Sequence, residues 1–342
     1  MRFLVVLATL CALASEAGAV GERFKVKLKK PAHGFQMRAA PYVVPVGQDL
    51  EWCEYRRLKN PHEMLVQGFD IRMSYGAHHF VVWAYNGPQQ DDSKFPTAPV
   101  LRAGCVGLSP GEFIPTNLFG MQTPNGSVRF PPGIATRLKP HQQVWLNPHI
   151  KNFGTTDVTP QIVFNMTPAR KGSVQHIAES FAIGENQDIR IPAGGRQTLV
   201  GEWTAPANLN IIQFSSHQHQ WGTHVTGEIE QADGSFQKIF ENSSWEHPFE
   251  LWTHKQAPWK DLDPPVLRLE AGRRIRFTCQ WNNQSTSPVT FGTEVDNEMC
   301  FVTGYYYRDD GAPTGALVGQ GCLPSVEGLT CPFAANVSSV TE

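Results

Sequence analysis

Six potential soft-metal ligands, spread over more than two hundred residues, constrain most tightly what this chain can fold into. They are the adjacent pair His78-His79 in SYGAHHF, His149 in WLNPHIKN, the alternating pair His217 and His219 in SSHQHQWG, and Met299 in DNEMC. Side chains so far apart can meet only if the fold brings several strands together, so the pattern predicts built sites and not a flexible histidine tract. Successive strand residues point to opposite faces, so His217 and His219 share a face and can hold one ion together. Adjacent histidines cannot do so on a regular strand. His78 and His79 need a strand end or a bulge, and Gly76 and Ala77 before them leave room for one.

Helical periodicity is scarce along the chain. Short alternating or apolar stretches dominate, among them HHFVVWAY, QQVWLNPHI, TPQIVFNM, LNIIQFSSHQH, RRIRFTCQW and CFVTGYYY, and 30 Gly and 26 Pro punctuate them with turns. This spacing predicts an all-β chain of sandwich type. FKVKLKK, with Lys alternating against Phe24, Val26 and Leu28, is expected as a solvated edge strand. A boundary is expected near Met166 to Gly172, which gives domains over 20–170 and 171–310 and a tail over 311–342. His78, His79 and His149 fall in the first domain and His217, His219 and Met299 in the second, the division expected of two metal sites, one per domain.

The N-terminus, MRFLVVLATLCALASEAGAVGE, has Arg2, an apolar run from Phe3 to Ala14 and the small-residue pattern Ala17-Gly18-Ala19. It predicts a signal peptide over 1–19 and a secreted or periplasmic protein. No other segment has the length and apolarity of a membrane-spanning helix, so no membrane partner is expected. A net charge of -2 gives no electrostatic case for nucleic acid. Cys11 leaves with the signal peptide, and Cys53, Cys105, Cys279, Cys300, Cys322 and Cys331 remain. An even count in an exported chain implies disulfides, although six cysteines allow 15 connectivities. Asn125, Asn165, Asn242, Asn283 and Asn336 begin glycosylation sequons.

Imidazole and thioether ligands, without thiolates or carboxylates, suit copper cycling between Cu(I) and Cu(II) better than magnesium, calcium or structural zinc. Taken alone, His149 reads as a hydrogen-bonded strand residue and Met299 as core filler. A zinc hydrolase would need three protein ligands, a water and a nearby carboxylate base. The chain has no H-E-x-x-H, and a Met ligand fits zinc poorly.

In combination these motifs resemble the ascorbate-dependent type II copper monooxygenases, the family of peptidylglycine α-hydroxylating monooxygenase and dopamine β-monooxygenase, over roughly Pro45 to Tyr307. In that family an HH pair and a later isolated His bind one copper, and an H-x-H pair with a Met inside E-M-C binds the other. Here these are His78-His79, His149 with Lys151-Asn152 after it, His217-Gln218-His219 with Gly222 after it, and Glu298-Met299-Cys300. FPPGIATRL and TCQWNN are also family-like. The resemblance implies two antiparallel, jelly-roll-like β-sandwiches in tandem, facing across a cleft. It implies the pairs Cys53-Cys105 and Cys279-Cys300, leaving Cys322-Cys331. It also implies two coppers per chain, with ascorbate as reductant. The three-His copper would pass an electron, and the His217/His219/Met299 copper would meet O2 and substrate.

One departure bears on the substrate. The peptide-amidating branch grips a peptide carboxylate with an Arg two residues before H-x-H, and with an Asn and a Tyr two and four residues after the Met. Those positions hold Ser215, Phe301 and Thr303 here. No guanidinium fork is available there, so a neutral or amine-bearing small molecule is expected rather than a peptide carboxylate. The segment ENSSWEHPFELW is expected to help line the cleft, with His247 structural. The expected function is hydroxylation of a C–H bond, and the rival from another class is a non-catalytic copper-binding or copper-transfer protein.

Overall fold

The computed structural model describes residues 26–74, 77–87, 98–101, 116–184, 188–311, 317–319, 323–325, 328–330 and 337–341. The expected signal peptide, Cys105, Cys322, Cys331 and Asn336 lie outside the described residues. Among the described residues there is no α-helix. Two 3-10 turns, Thr253–Lys255 and Trp259–Asp261, interrupt an otherwise all-β chain. Among the described residues no helix is long and apolar enough to cross a membrane.

The N-terminal half contains two sheets. One orders Phe35–Arg38, Ile162–Pro168, Met64–Met73, Ile134–Leu138 and His176–Ile177, with Asn125–Arg129 also paired to Met64–Met73. The other orders Val100–Leu101, Asp49–Arg57, Gln143–Lys151, Ala77–Ala84 and Thr116–Met121. Aromatic rings interlock between them: Phe69 stacks on Phe119 at 5.1 Å, and Phe80 meets Phe164 at 5.2 Å. Such offset and tilted pairs are the arrangement that ring quadrupoles favour.

The C-terminal half repeats the plan. Leu251–Trp252, Leu209–His217, Phe301–Tyr307, Glu179–Gly184 and Leu317–Gly319 form one sheet. Phe236–Asn242, Gly222–Glu230, Arg274–Asn282, Arg196–Thr204 and Val337–Thr341 form the other. Along Arg274–Asn282 buried residues alternate with more exposed ones, the mark of a sheet with one face on the core. Its outer face carries an ionic ladder in which Arg274 pairs with Glu202 and Glu230, and Arg276 pairs with Glu202. The chain beyond Gly311 is not simply an appended tail, because Leu317–Gly319 and Val337–Thr341 add an edge strand to each sheet.

Cys279 and Cys300 form the expected disulfide, joining the strand Arg274–Asn282 to the residue just before Phe301–Tyr307. Cys53 is also disulfide-bonded.

The basic stretch expected as an edge strand forms none over Val26–Lys30. Side-chain amides replace the ladder there. Gln161 Oε1 accepts from the Val26 N–H, and Gln36 and Asn165 donate to the carbonyls of Leu28 and Lys29.

The halves meet through aromatic side chains. Trp252 and Tyr305 of the C-terminal half pack on Phe130 of the N-terminal half at 6.1 and 5.0 Å, and the Tyr305 hydroxyl donates to the Leu118 carbonyl.

Candidate metal centre

The strand Gln143–Lys151 lies between Asp49–Arg57 and Ala77–Ala84 and is buried along nearly its whole length. Alternation sends Val144, Leu146 and Ile150 into the core and His149 to the opposite face. His79 is the register partner of His149, so the two rings share that face with centroids 4.9 Å apart. The pairing slips between Ala77 and His79. This is the bulge the adjacent pair requires, and it brings the His78 ring to 5.0 Å from His79 and 4.9 Å from His149.

His217 ends the strand Leu209–His217, and His219 lies in the turn that follows, which the Gly222 N–H closes onto the His219 carbonyl at 3.0 Å. A side chain at Gly222 would come within 2.6 Å of the Gln218 Cβ, so this turn needs a glycine. The His217 and His219 rings are 5.1 Å apart.

The two ligand groups abut. His78 lies 5.8 Å from His217 and 5.2 Å from His219, and His79 lies 5.7 Å from His217. One candidate ligand nitrogen each from His78, His79 and His217 falls within 4.8 Å of the others. The sequence divides the histidines into one set per half; the structure sets the two sets side by side as one cluster. Met299 adjoins it through the chain, because Phe301, two residues on, is the register partner of His217.

Hydrogen bonds fix which nitrogen each ring offers. His149 Nε2 lies 2.6 Å from Asp49 Oδ1, leaving a buried Nδ1 with no hydrogen-bond partner. His219 Nδ1 faces the Asn297 carbonyl at 3.2 Å, leaving a buried, unpartnered Nε2. His217 Nδ1 faces Gln122 Oε1 at 3.2 Å, and Gln122 in turn donates to the Trp245 carbonyl. Nε2 of His78 is likewise buried without a partner. An unpaired buried polar nitrogen is costly, and metal ligation is a direct way to satisfy it.

Burial, and then the neighbouring imidazoles, hold His78 and His219 well below the ordinary histidine pKa, so both stay neutral. Neutral imidazole is the ligand form. At Asp49 burial works to raise the carboxyl, but the bond to His149, the Val295 N–H and Lys151 together hold it below its usual value. Glu298 is fully buried and accepts from the backbone N–H groups of His219, Trp221 and Met299 and from the Trp281 indole. Burial pushes its carboxyl up to about 7 against the pull of those donors. Its carboxylate thereby ties the H-x-H turn to the Met299 segment.

Ser215 is the register partner of Thr303, two residues along from the His217-Phe301 pair, so these residues share a sheet face beside the cluster. No guanidinium stands among them. Trp245 sits 5.7 Å from the His78 ring, which puts the aromatic segment at the centre as expected, while His247 is exposed and outside the cluster.

Asp49, Glu51 and Gln122 were not singled out from sequence. Glu51 lies 3.8 Å from His79 Nε2. The alternation D-x-E in DLEWC was the available signal, since it puts two carboxylates on the face of a strand that pairs with the His149 strand. Nothing local marks Gln122.

Residues 201–328 match the model of the copper type II ascorbate-dependent monooxygenase C-terminal domain, a stretch that holds His217, His219 and Met299. No curated protein matches the chain. Among solved structures it is similar to the major capsid protein P2 of bacteriophage PM2, at 7% identity and a TM-score of 0.36 over 82% of this chain and 100% of that one. It is also similar to PNGase F, a glycosylasparaginase from Flavobacterium meningosepticum, at 10% identity and a TM-score of 0.30 over 91% and 99%. Likenesses this distant carry no argument about function.

Proposed function

We propose, from the match of residues 201–328 to the copper type II ascorbate-dependent monooxygenase C-terminal domain, that the chain is a member of that family and a secreted enzyme hydroxylating a C–H bond of a small organic substrate. O2 is the oxidant and ascorbate the reductant. The observation that carries this reading is the cluster of five imidazoles, with ligand nitrogens buried and unpartnered at His78, His149 and His219. The donor set fits copper: imidazoles from five strand and turn positions, and a thioether next in the chain to the Glu298 clamp.

His78, His79 and His149 hold one copper, and His217, His219 and Met299 the other. Bound copper would supply the one-electron and O2 chemistry that no side chain of this chain offers. The protein's own residues do the positioning. Asp49 holds the His149 ring through Nε2, the Asn297 carbonyl and Gln122 orient His219 and His217, and Glu298 keeps the H-x-H turn against the Met299 segment. Burial keeps His78 and His219 neutral. Ser215, Phe301, Thr303 and Trp245 offer the substrate hydroxyls and aromatic surface, without a cation to neutralise a carboxylate. The Cys279-Cys300 disulfide supports an oxidising compartment.

Incubation of the copper-loaded protein with ascorbate, 18O2 and a panel of phenethylamines, hydrophobic amines and glycine-extended peptides tests this. A product carrying one 18O atom is expected, with the glycine-extended peptides ranking last. Stoichiometric copper binding with no labelled product across a broad substrate screen would leave a copper-binding or copper-transfer protein instead.

A further inference from the structure

We infer that the two ligand groups are oriented across the seam between the halves: the N-terminal half supplies the positioning contact for His217 directly, and the C-terminal half reaches His149 through the carboxylate that holds it. This rests on the copper reading above, in which both groups serve as ligands. An imidazole ligates well only when its second nitrogen is held, because that bond fixes both tautomer and ring rotation. For His217, in the C-terminal half, the holding group is Gln122 Oε1 of the N-terminal half, at 3.2 Å. Gln122 is itself steadied by its donation to the Trp245 carbonyl at 3.1 Å, a second crossing between the halves.

The opposite crossing runs through Asp49. One of its oxygens meets His149 Nε2 at 2.6 Å, and the other accepts the Val295 N–H at 2.6 Å, across 246 residues of chain. Both oxygens are thereby engaged, so the carboxylate cannot rotate, and its plane sets the plane of the His149 ring. Val295 belongs to the segment that leads through Glu298 to Met299. Any shift of that segment therefore reaches His149 through Asp49, and any shift of Gln122 reaches His217. Lys151 adds a peripheral tie to Asp296 at 3.2 Å. Neither ligand group is held by its own half alone.

Gln122→Leu and Asp49→Asn test the two crossings on the full mature chain. Gln122 is only half-buried and the asparagine is nearly isosteric, so both variants are expected to fold. In metal-free protein, 15N NMR of the histidine rings should show His217 losing its single Nδ1–H tautomer in Gln122→Leu. Copper(I) titration should then show the copper with a sulfur ligand in X-ray absorption bound about 10- to 100-fold more weakly, the range typical for removing a group that holds a ligand from behind. The copper without sulfur should keep its affinity. Asp49→Asn should show the mirror image: weaker sulfur-free copper and faster hydrogen exchange at the Val295 amide.

If Gln122→Leu lowers the melting temperature while tautomer and copper affinities stay those of the parent, Gln122 is merely structural and the inference fails. It also fails if Val295 exchange is unchanged in Asp49→Asn. A parent protein that binds no copper would sink the functional proposal instead, while the metal-free tautomer and exchange measurements would still decide whether the rings are held across the seam.

Discussion

His78 and His219 are kept neutral in the folded protein by burial, and in the unfolded chain both return to about 6.5. Below that pH the unfolded chain binds protons that the folded one does not, so the metal-free protein loses stability on acidification. Glu298 acts in the opposite sense: with its carboxyl raised to about 7, the folded form holds a proton between that value and the ordinary 4.5 that the unfolded form has released. Two imidazoles against one carboxyl leave a net uptake of protons on unfolding at these three groups, so stability is expected to fall from pH 6 to 5. Denaturant titrations across that range check it; stability that is flat or rising toward pH 5 would mean that the two rings are charged in the fold. Met299→Ile is expected to cost less than about 1.5 kcal/mol, as volume-conserving apolar exchanges do. Hydroxylation should nevertheless fall by orders of magnitude, and Cu(I) X-ray absorption should lose its sulfur component; retained activity would make Met299 a packing residue. At this scale the clustered histidines and the Met299 segment were legible as candidates because His-His, His-x-His and E-M-C carry their own spacing. Asp49 and Gln122 were not, because a single Asp or Gln acquires its role only from a partner more than ninety residues away.

Among the elements, the strand Arg274–Asn282 and the residues before Phe301–Tyr307 are joined by Cys279-Cys300, two cysteines 21 positions apart in sequence. Closing a loop of about that length is worth roughly 3 kcal/mol in the chain-entropy picture. Replacing both cysteines by alanine should lower stability by about that amount and speed hydrogen exchange in residues 295–300, measured beside the parent. An unchanged exchange rate there would show that Glu298 holds the segment unaided. Alternating strands such as RRIRFTCQW were readable because one face meets solvent and the period survives in the sequence. The bulge before His79 was readable from the steric problem of two adjacent inward rings. Lys-rich FKVKLKK misled for a physical reason: its alternation matches a strand, but the backbone groups of Val26, Leu28 and Lys29 find side-chain amides of Gln161, Gln36 and Asn165 before any neighbouring strand.

For the whole molecule, the apolar contact of Phe130 with Trp252 and Tyr305 makes the two sandwiches share part of one core. Calorimetry of the parent should therefore give one cooperative unfolding transition, and Trp252→Ala, by opening that seam, should split it in two. Two transitions in the parent would mean that the seam contributes little. The two-sandwich architecture was legible from strand spacing and the ligand division, but how near the halves stand was not, since no periodicity encodes a contact between them. The buried state of His149 and His219, at 1% and 0% exposure, carries a kinetic consequence. A hydrated ion cannot reach nitrogens cut off from solvent in this way, so copper loading at these two rings is expected to wait on a local opening around them. The expected loading rate then levels off at high copper concentration at the rate of that opening, and stopped-flow copper binding checks it: a rate that keeps rising in proportion to copper would show both rings open to solvent.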